Sequence, residues 1–450
     1  MIQTDGRRAV ILGYGRSGRA AAAYLKRQGA TVTVVDRADT DELRAAMERD
    51  GVVGQLGASQ LDLDAVDLLV VSPGVAWDAP LVESARQRGV EVTSEMDLFF
   101  QRCPCPIAGI TGTNGKTTTT ALTAEVLRAG GHNVIRGGNI GEPVLDRLEQ
   151  LHPQDWVVLE LSSFQLESIR KPRLQIGAVL NVTEDHLDRH KTMERYRQIK
   201  ARAVTFMEPE DHAVLNFDDP STAAMATQTR GQVLAFAVVN EIHAGIRVLD
   251  GTICRTEGGA MQPVMPVSDV PLPGSHNLSN VMAAVGAGLA AGVAPDRIGE
   301  AIRKFQAVEH RLELIGTFGG SRWYNDSKAT NPDSTYKALA AFSEPIVLIA
   351  GGRNKGIDVA PLAKVIAERA AGLVAIGETG DELERMVRAA GLENVERGRD
   401  LTEAVRRAAS MAKPGSVVLL SPAFTSFDMF RDYEDRGRQF KATVLKEMSQ

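Results

Sequence analysis

Gly109-Ile-Thr-Gly-Thr-Asn-Gly-Lys-Thr-Thr118 is the stretch that decides how this chain is read. It follows a short apolar run expected to be a strand (106–110) and leads into a run expected to be a helix (119–128). Backbone N–H groups therefore converge at a helix N-terminus, where phosphate oxygens bind. In the pattern G-x-x-x-x-G-K-[ST], the lysine, here Lys116, reaches the β- and γ-phosphates, and the hydroxyl, here Thr117, reaches Mg2+. Ile110 stands where the first glycine of that pattern belongs, so the core Gly112-Thr-Asn-Gly115-Lys116-Thr117 is a subtype. Strand, Gly-Lys-Thr and helix in this order predict a nucleotide phosphate cradle.

The 450 residues suggest about three domains of roughly 150 residues each. With 24% charged and 44% hydrophobic residues, the composition is that of a globular protein with several cores. A net charge of −6 gives no bulk reason to bind nucleic acid or an anionic membrane, and neither is expected as a partner. Three cysteines, Cys103, Cys105 and Cys254, are too few and odd in number for a disulfide framework and point to a reducing compartment. The one-residue spacing of Cys103-Pro-Cys105 is poor for zinc. The N-terminal stretch before Arg8 has no apolar run of signal-peptide length, and the weakly polar run 281–294 is too short to span a bilayer. A cytoplasmic protein without membrane insertion is expected.

The first segment alternates expected strands (8–12, 31–35, 68–72) with expected helices (17–28 and near 79–88), the pattern of a parallel sheet with right-handed crossovers. It ends near 93–97. The phosphate loop opens a second such unit, with strands expected at 156–161, 176–181 and 213–216 and a more irregular Val- and Gly-rich stretch at 233–257. A helix beginning near Asn277 and another at 296–305 lead to a third alternation. Its strands are expected at 346–350, 373–376 and 417–420, its helices at 360–370, 381–390 and 401–411. No repeat of solenoid period occurs. The expected fold class is α/β in three domains: a Rossmann-like domain at 1–97, a P-loop ATPase-type domain at 98–307 and a Rossmann-like domain at 308–450.

Gly13-Tyr-Gly15-Arg16-Ser17-Gly18 follows a strand and opens a helix, and Asp36 closes the next strand. This is a dinucleotide fingerprint, with glycines for the close approach of a diphosphate and an acid for a ribose or base edge. Fewer than a hundred residues are too few for two mononucleotide-binding halves, so the diphosphate of some other nucleotide fits the segment. Ser72-Pro-Gly74 ends a later strand, where ligands bind in open α/β sheets; a plain strand-ending turn reads the same. Glu160 ends an apolar strand beside the phosphate loop and can reach Mg2+ directly or through water. Asn181-Val-Thr-Glu-Asp-His186-Leu-Asp-Arg-His190 lacks the H-E-x-x-H zinc pattern, so His186 is expected as a metal ligand and His190 as structural.

Lys200 lies on the apolar stripe of Tyr196, Ile199, Ala203 and Met207 in an expected helix at 194–207. Such a lysine either snorkels, packing only its stem, or is desolvated toward the neutral amine that reacts with CO2 to form a carbamate. His310-Arg311 offers a cation to clamp phosphates. Asn325-Asp326-Ser-Lys328-Ala-Thr330-Asn-Pro332 gathers acid, lysine and hydroxyl groups at a strand-to-turn junction. Gly351-Gly-Arg-Asn-Lys355-Gly356 and the stretch from Leu420 to Tyr433 each begin where a strand ends, so both are expected to face one cleft.

Together these motifs resemble the Mur ligase family over essentially the whole chain. The most specific are Gly112 to Thr117, Glu160-Leu-Ser-Ser-Phe-Gln-Leu-Glu167, Asn181 to His190, Asn325 to Asn331, and Leu419-Leu-Ser-Pro-Ala-Phe-Thr-Ser-Phe-Asp-Met-Phe430. The last two favour the D-glutamate-adding branch. The resemblance implies ATP-dependent amide formation through an acyl phosphate, with D-glutamate added to UDP-N-acetylmuramoyl-L-alanine for peptidoglycan, by a monomer in the cytoplasm. It assigns Gly15, Arg16, Ser17, Asp36, Arg37, Ser72 and Gly74 to the uridine diphosphate, and Asn139 to the neighbourhood of the sugar and the reacting carboxylate. Ser162, Gln165 and His186 are implied on the same substrate. Gly112, Thr113, Asn114, Gly115, Lys116, Thr117 and Thr118 are implied for ATP, with Asn277, Arg311 and Asp326 as its clamp. Thr117, Glu160, His186 and a carbamylated Lys200 are implied as ligands of two Mg2+ ions, and Lys116, Lys200, His186 and Glu160 as the catalytic set. Lys328, Thr330, Lys355, Ser426, Phe427 and Tyr433 are implied around D-glutamate.

Three other readings compete. Another amide ligase of the same family is the nearest; a folylpolyglutamate synthase has no need of the Gly13 to Gly18 domain. An NAD-dependent oxidoreductase would need a hydride-transfer site, for which the sequence offers no candidate. A P-loop switch protein would hydrolyse or exchange ATP without forming an amide.

Overall fold

The computed structural model describes residues 2–58 and 60–448; residues 1, 59, 449 and 450, and with them the outer limits of the first and last expected domains, lie outside that description. Among the described residues the fold is mixed α/β on three sheets. The chain gathers into two compact units, one running to Asp269 and including Ser279–Ile302, the other made of Val270–Leu278 and the chain from Arg303 onward.

The first unit carries two sheets. The five-stranded one is parallel, in the order Val53–Leu56, Thr31–Asp36, Arg8–Leu12, Leu68–Val71, Glu91–Thr93. Arg8–Leu12 delivers the first glycine loop, and the small residues of helix Arg16–Arg27, Ala20 to Ala22 among them, let that helix lie close on the sheet. Gly13 has φ +91°, and a Cβ on Gly18 would sit 2.1 Å from the Gly13 carbonyl oxygen. Ser72 Oγ donates to that same oxygen at 2.6 Å, tying the Ser72-Pro-Gly74 turn to the loop.

The nine-stranded sheet runs Ala260–Pro266, Thr252–Glu257, Gly245–Leu249, Gln232–Ala237, His212–Asn216, Ile176–Val179, Ile107–Thr111, Trp156–Glu160, Val134–Gly138. Its central strands are parallel and buried on both faces, as their unbroken apolar runs require. The stretch expected to be irregular, 233–257, resolves into two parallel strands and the start of an antiparallel ribbon at one edge. Helix Lys116–Ala129 starts earlier than the expected Thr119, since its first turns are a run of threonines whose weak helix preference hides it in the sequence. Helix Ser275–Ala290 takes up most of the weakly polar run 281–294, and among the described residues no helix is long and apolar enough to cross a membrane.

The six-stranded sheet of the second unit runs Glu313–Phe318, Ser321–Asn325, Val417–Leu420, Ile346–Gly351, Ala370–Ile376, Val395–Arg397, with the first pair antiparallel and the rest parallel. The three loops that carry the candidate residues of this unit leave the carboxyl ends of Ser321–Asn325, Ile346–Gly351 and Val417–Leu420, which are neighbours in the sheet. Tyr433, read from the sequence as the end of a loop, begins helix Tyr433–Met448.

Gly18→Ala should lose roughly 1–3 kcal/mol of stability in denaturant unfolding, since its methyl group would meet main chain that cannot yield. Gly15→Ala, where a Cβ meets nothing within 4 Å, should unfold like the parent. Equal losses at the two positions would contradict this account of the loop.

Candidate active site

The phosphate loop is shaped by Gly112 (φ +155°) and Gly115 (φ +85°); a Cβ on Gly115 would lie 2.2 Å from Asn280 Oδ1. The loop hangs on the end of the neighbouring strand through Asn181. Thr113 N donates to the Asn181 carbonyl (2.9 Å), Asn114 N to Asn181 Oδ1 (2.8 Å), and Asn181 Nδ2 to the Asn114 carbonyl (3.1 Å). Lys116 curls back so that Nζ donates to the carbonyls of Gly112 (3.0 Å) and Thr113 (2.8 Å).

Lys200 does not snorkel. It is 1% exposed, its Nζ donates to the same Gly112 carbonyl at 2.8 Å, and it lies 4.6 Å from the centre of the Tyr196 ring. Burial drives its pKa well below the ordinary lysine range, the positive charge of Lys116 adds to the effect, and Asp185 opposes it. Tyr196, held by Thr113 Oγ1 at 3.3 Å, closes the site from the helix side.

Glu160 ends the strand that pairs with Ile107–Thr111, in register with Ile110. Its Oε1 accepts from Asn139 Nδ2 at 3.1 Å, while Oε2 is buried without a hydrogen-bond partner. A buried carboxylate oxygen with no donor suits a cation. His186 is half exposed in a left-handed conformation (φ +53°), with Nε2 3.4 Å from Asp185 Oδ2. Among the described residues no three His, Cys, Asp or Glu side chains gather into a metal cage. His190 is buried between the rings of Phe164 and Tyr196, each 5.4 Å away, with Nε2 2.9 Å from Ser163 Oγ. Ser162 and Gln165 form the capping box of helix Ser163–Ser168.

A cavity of about 1250 Å3 lies within the first unit. Gly13, Gly15, Arg16, Ser17, Asp36, Arg37, Ser72 and Gly74 line it, together with Gly138, Asn139, Gly141, Gln165 and Arg189. Asp36, read from the sequence as a ligand for a ribose or base edge, accepts from the main-chain N–H of Tyr14 (2.7 Å) and Ala38 (2.8 Å), one on each oxygen, and so also braces the wall. Arg16 Nη1 donates to the Gly141 carbonyl at 3.1 Å. Asn139 belongs both to the cavity wall and to Glu160, and so links that wall to the strand pair that carries the phosphate loop.

Arg189 was missed by sequence reasoning. It donates to the Val75 carbonyl at 3.1 Å and lies 5.1 Å from the Phe164 ring centre, joining the Ser72-Pro-Gly74 turn to the aromatic stack. Its only signal was an arginine inside the acidic cluster.

In the second unit, Asp326 is buried, with Oδ2 accepting from Ser421 Oγ (2.8 Å) and Oδ1 from Leu312 N (3.3 Å). Burial pushes its carboxyl up to about 7 against those hydrogen bonds. Arg311 sits between two left-handed residues, His310 and Leu312. Asn277 Nδ2 donates to the Pro273 carbonyl at 2.7 Å. The Lys355 and Ser426 loops meet: Arg353 N donates to the Thr425 carbonyl (2.9 Å), Thr425 Oγ1 to the Arg353 carbonyl (3.0 Å), and Lys355 Nζ lies 5.7 Å from the Phe427 ring centre. Ser426 is buried and Phe427 is 54% exposed. Lys328 Nζ lies 5.3 Å from the Tyr433 ring centre, and Thr330 N donates to the Lys328 carbonyl at 2.9 Å. Arg436, another residue the sequence did not reveal, is fully buried and pins Ser327 through Nε to Oγ (2.9 Å) and Nη2 to the carbonyl (2.8 Å).

Three family models match in order along the chain: the Mur ligase MurD-like N-terminal domain over residues 7–94, the Mur ligase middle domain over 110–288, and the Mur ligase glutamate ligase domain over 310–424. A UDP-N-acetylmuramoylalanine–D-glutamate ligase from Pelotomaculum thermopropionicum is 42% identical over 446 residues, covering 98% of this chain and 97% of the relative. The chain belongs to the Mur ligase family. The ligase of the same name from Koribacter versatilis is also 42% identical, covering 99% of this Mur ligase and 98% of its own length. Among solved structures, UDP-N-acetylmuramate-alanine ligase MurC from Thermotoga maritima superimposes with a TM-score of 0.60 at 20% identity, covering 98% and 100% of the two chains. MurF ligase from the same organism, solved in complex with ADP, gives 0.60 at 16% identity, covering 100% and 99%.

Asp326 binds its proton more tightly in the folded than in the unfolded chain, so the stability it contributes is present below about pH 4 and lost as pH rises toward about 7. Asp326→Asn should flatten the dependence of melting temperature on pH across that window, measured by calorimetry. An unchanged slope would contradict the burial account.

Proposed function

We propose that this Mur ligase joins the amine of D-glutamate to the L-alanyl carboxylate of UDP-N-acetylmuramoyl-L-alanine at the expense of ATP. The observation that carries the reading is the cavity leading from the first glycine loop to Asn139, whose amide bonds Glu160 beside the phosphate loop. Its volume suits a nucleotide-linked sugar. The relatives that are 42% identical over nearly the whole length carry the name of this ligase, which favours D-glutamate over other amino acids.

In this reading the uridine diphosphate lies against Gly15, Arg16, Ser17, Asp36, Arg37, Ser72 and Gly74, with main-chain N–H groups at the start of helix Arg16–Arg27 facing the diphosphate. The muramoyl-alanyl arm extends toward Asn139, Ser162, Gln165 and His186. ATP phosphates occupy the loop from Gly112 to Thr118, and Lys116 exchanges its two carbonyl partners for phosphate oxygens. The alanyl carboxylate attacks the γ-phosphorus, the bond to ADP breaks, and an acyl phosphate forms. The amine of D-glutamate then attacks the acyl carbon, loses a proton and expels phosphate. No covalent enzyme intermediate is needed; the chain aligns anions and keeps water from the acyl phosphate.

Asn277, Arg311 and Asp326 clamp ATP, while Lys328 and Lys355 offer two ammonium groups to the two carboxylates of D-glutamate, with Thr330, Ser426, Phe427 and Tyr433 around them. When bound, Mg2+ offsets the phosphate charge that builds up in the transition state, and Thr117, Glu160, His186 and carbamylated Lys200 would hold two such ions. The neutral Lys200 amine adds to CO2 with loss of a proton, replacing a buried uncharged amine by a carboxylate. The domains 1–97, 98–307 and 308–450 serve substrate, ATP and amino acid in turn, in a cytoplasmic monomer.

With ATP, Mg2+ and UDP-N-acetylmuramoyl-L-alanine supplied, D-glutamate, L-glutamate, L-alanine and meso-diaminopimelate are offered separately. Phosphate release should require D-glutamate and give a product heavier by one glutamyl residue; equal rates with all four, or none, would sink the assignment. With 13C-labelled CO2, the parent should show a carbamate carbon resonance that is absent in Lys200→Ala, whose rate should fall by roughly a hundredfold or more. An undiminished rate would remove Lys200 from the mechanism.

A further inference from the structure

Cys103 and Cys105 take no part in the ligase chemistry, yet they are in contact. Cys103 Sγ lies 3.5 Å from Cys105 Sγ and 3.5 Å from the Cys105 carbonyl oxygen, whereas Cys254 is buried in the strand Thr252–Glu257. The two thiols differ in access: Cys103 is partly exposed and Cys105 is buried. Pro104 between them fixes one backbone dihedral, so little freedom separates the observed contact from a closed ring. Bringing the sulfurs to bonding distance requires about 1.5 Å of approach, within reach of rotation about the two side chains.

The pair sits at a covalent joint of the first unit. Cys103 N donates to the Phe99 carbonyl as the cap of helix Glu95–Arg102, and the Pro106 carbonyl accepts from Val157 N just before strand Ile107–Thr111 carries the chain into the phosphate loop. Both ends of the joint are held, which keeps the sulfurs together.

We propose that Cys103 and Cys105 form a reversible redox site, closing to an intramolecular disulfide when a low-molecular-weight disulfide acts as oxidant. Cys103 thiolate attacks one sulfur of the oxidant and expels one thiolate, giving a mixed disulfide. Cys105, after losing its proton, attacks Cys103 Sγ and expels the second thiolate. Two thiols of the protein are oxidised and one disulfide of the oxidant is reduced to two thiols. The hydrogen bond from the Cys105 thiol holds the Cys103 pKa below the ordinary cysteine range, consistent with Cys103 as the attacking sulfur.

The test is to incubate the folded full-length protein with oxidised glutathione and follow intact mass and free thiols. The parent should lose two of its three thiols and two mass units, retain no glutathione, and recover on adding dithiothreitol. Cys105→Ser should instead hold one glutathione on Cys103, and Cys254→Ser should behave as the parent. A stable glutathione adduct on the parent, a bridge to Cys254, or three intact thiols under conditions that oxidise the denatured chain would each overturn the proposal.

Discussion

Two lysine side chains converge on one carbonyl oxygen, that of Gly112: Lys116 at 3.0 Å and Lys200 at 2.8 Å. Two ammonium groups cannot both stay charged there at low cost when one of them is buried. The strain falls on Lys200, whose burial lowers its pKa first and whose charged neighbour lowers it further. Lys116, at the start of helix Lys116–Ala129, is that charged neighbour. The rest of the centre follows from this division. Glu160 brings a carboxylate whose second oxygen is buried with no donor, and a carbamate on Lys200 would bring a second anion, so the proposed carbamate would turn a site with one charged lysine and one neutral amine into one suited to divalent ions.

The same device appears twice in the first unit. In each sheet a strand ends in a glycine loop that opens a helix, Arg8–Leu12 before Gly13 and Ile107–Thr111 before Gly112, and in each a neighbouring strand end supplies the brace. For the first loop the braces are Asp36 and Ser72; for the second it is Asn181. The cavity is lined by the first of these loops and by Asn139, whose amide bonds Glu160 on a strand next to the second. An enzyme that must bring a nucleotide-linked carboxylate to a nucleotide triphosphate needs such a link, and it needs both loops rigid. The stack of Phe164, His190 and Tyr196, tied through Arg189 to the Val75 carbonyl, supplies rigidity across the same interval.

Much of this was legible in the sequence because phosphate chemistry restricts residue choice. Gly112 to Thr117, Glu160 at a strand end and Lys200 on an apolar stripe each carry a local pattern with a physical reason. What stayed hidden depends on contacts distant in sequence. Nothing local distinguishes Asp36 as a ligand from Asp36 as a brace, since the deciding partners are the N–H groups of Tyr14 and Ala38. Arg436 is invisible as a buried anchor because its role is set by Ser327, 109 residues earlier. The edge ribbon Thr252–Glu257 and Ala260–Pro266 was blurred by an exposed, glycine-broken pattern, and the threonine run after Lys116 concealed the true start of its helix.

The central claim is that the alanyl carboxylate itself attacks ATP at the loop built on Gly112, so that its oxygen leaves with the phosphate. The direct measurement uses UDP-N-acetylmuramoyl-L-alanine labelled with 18O in the alanyl carboxylate, with the released phosphate examined by mass spectrometry after turnover with D-glutamate. The account predicts one 18O atom in each phosphate formed. Unlabelled phosphate accompanying full amide product would contradict it.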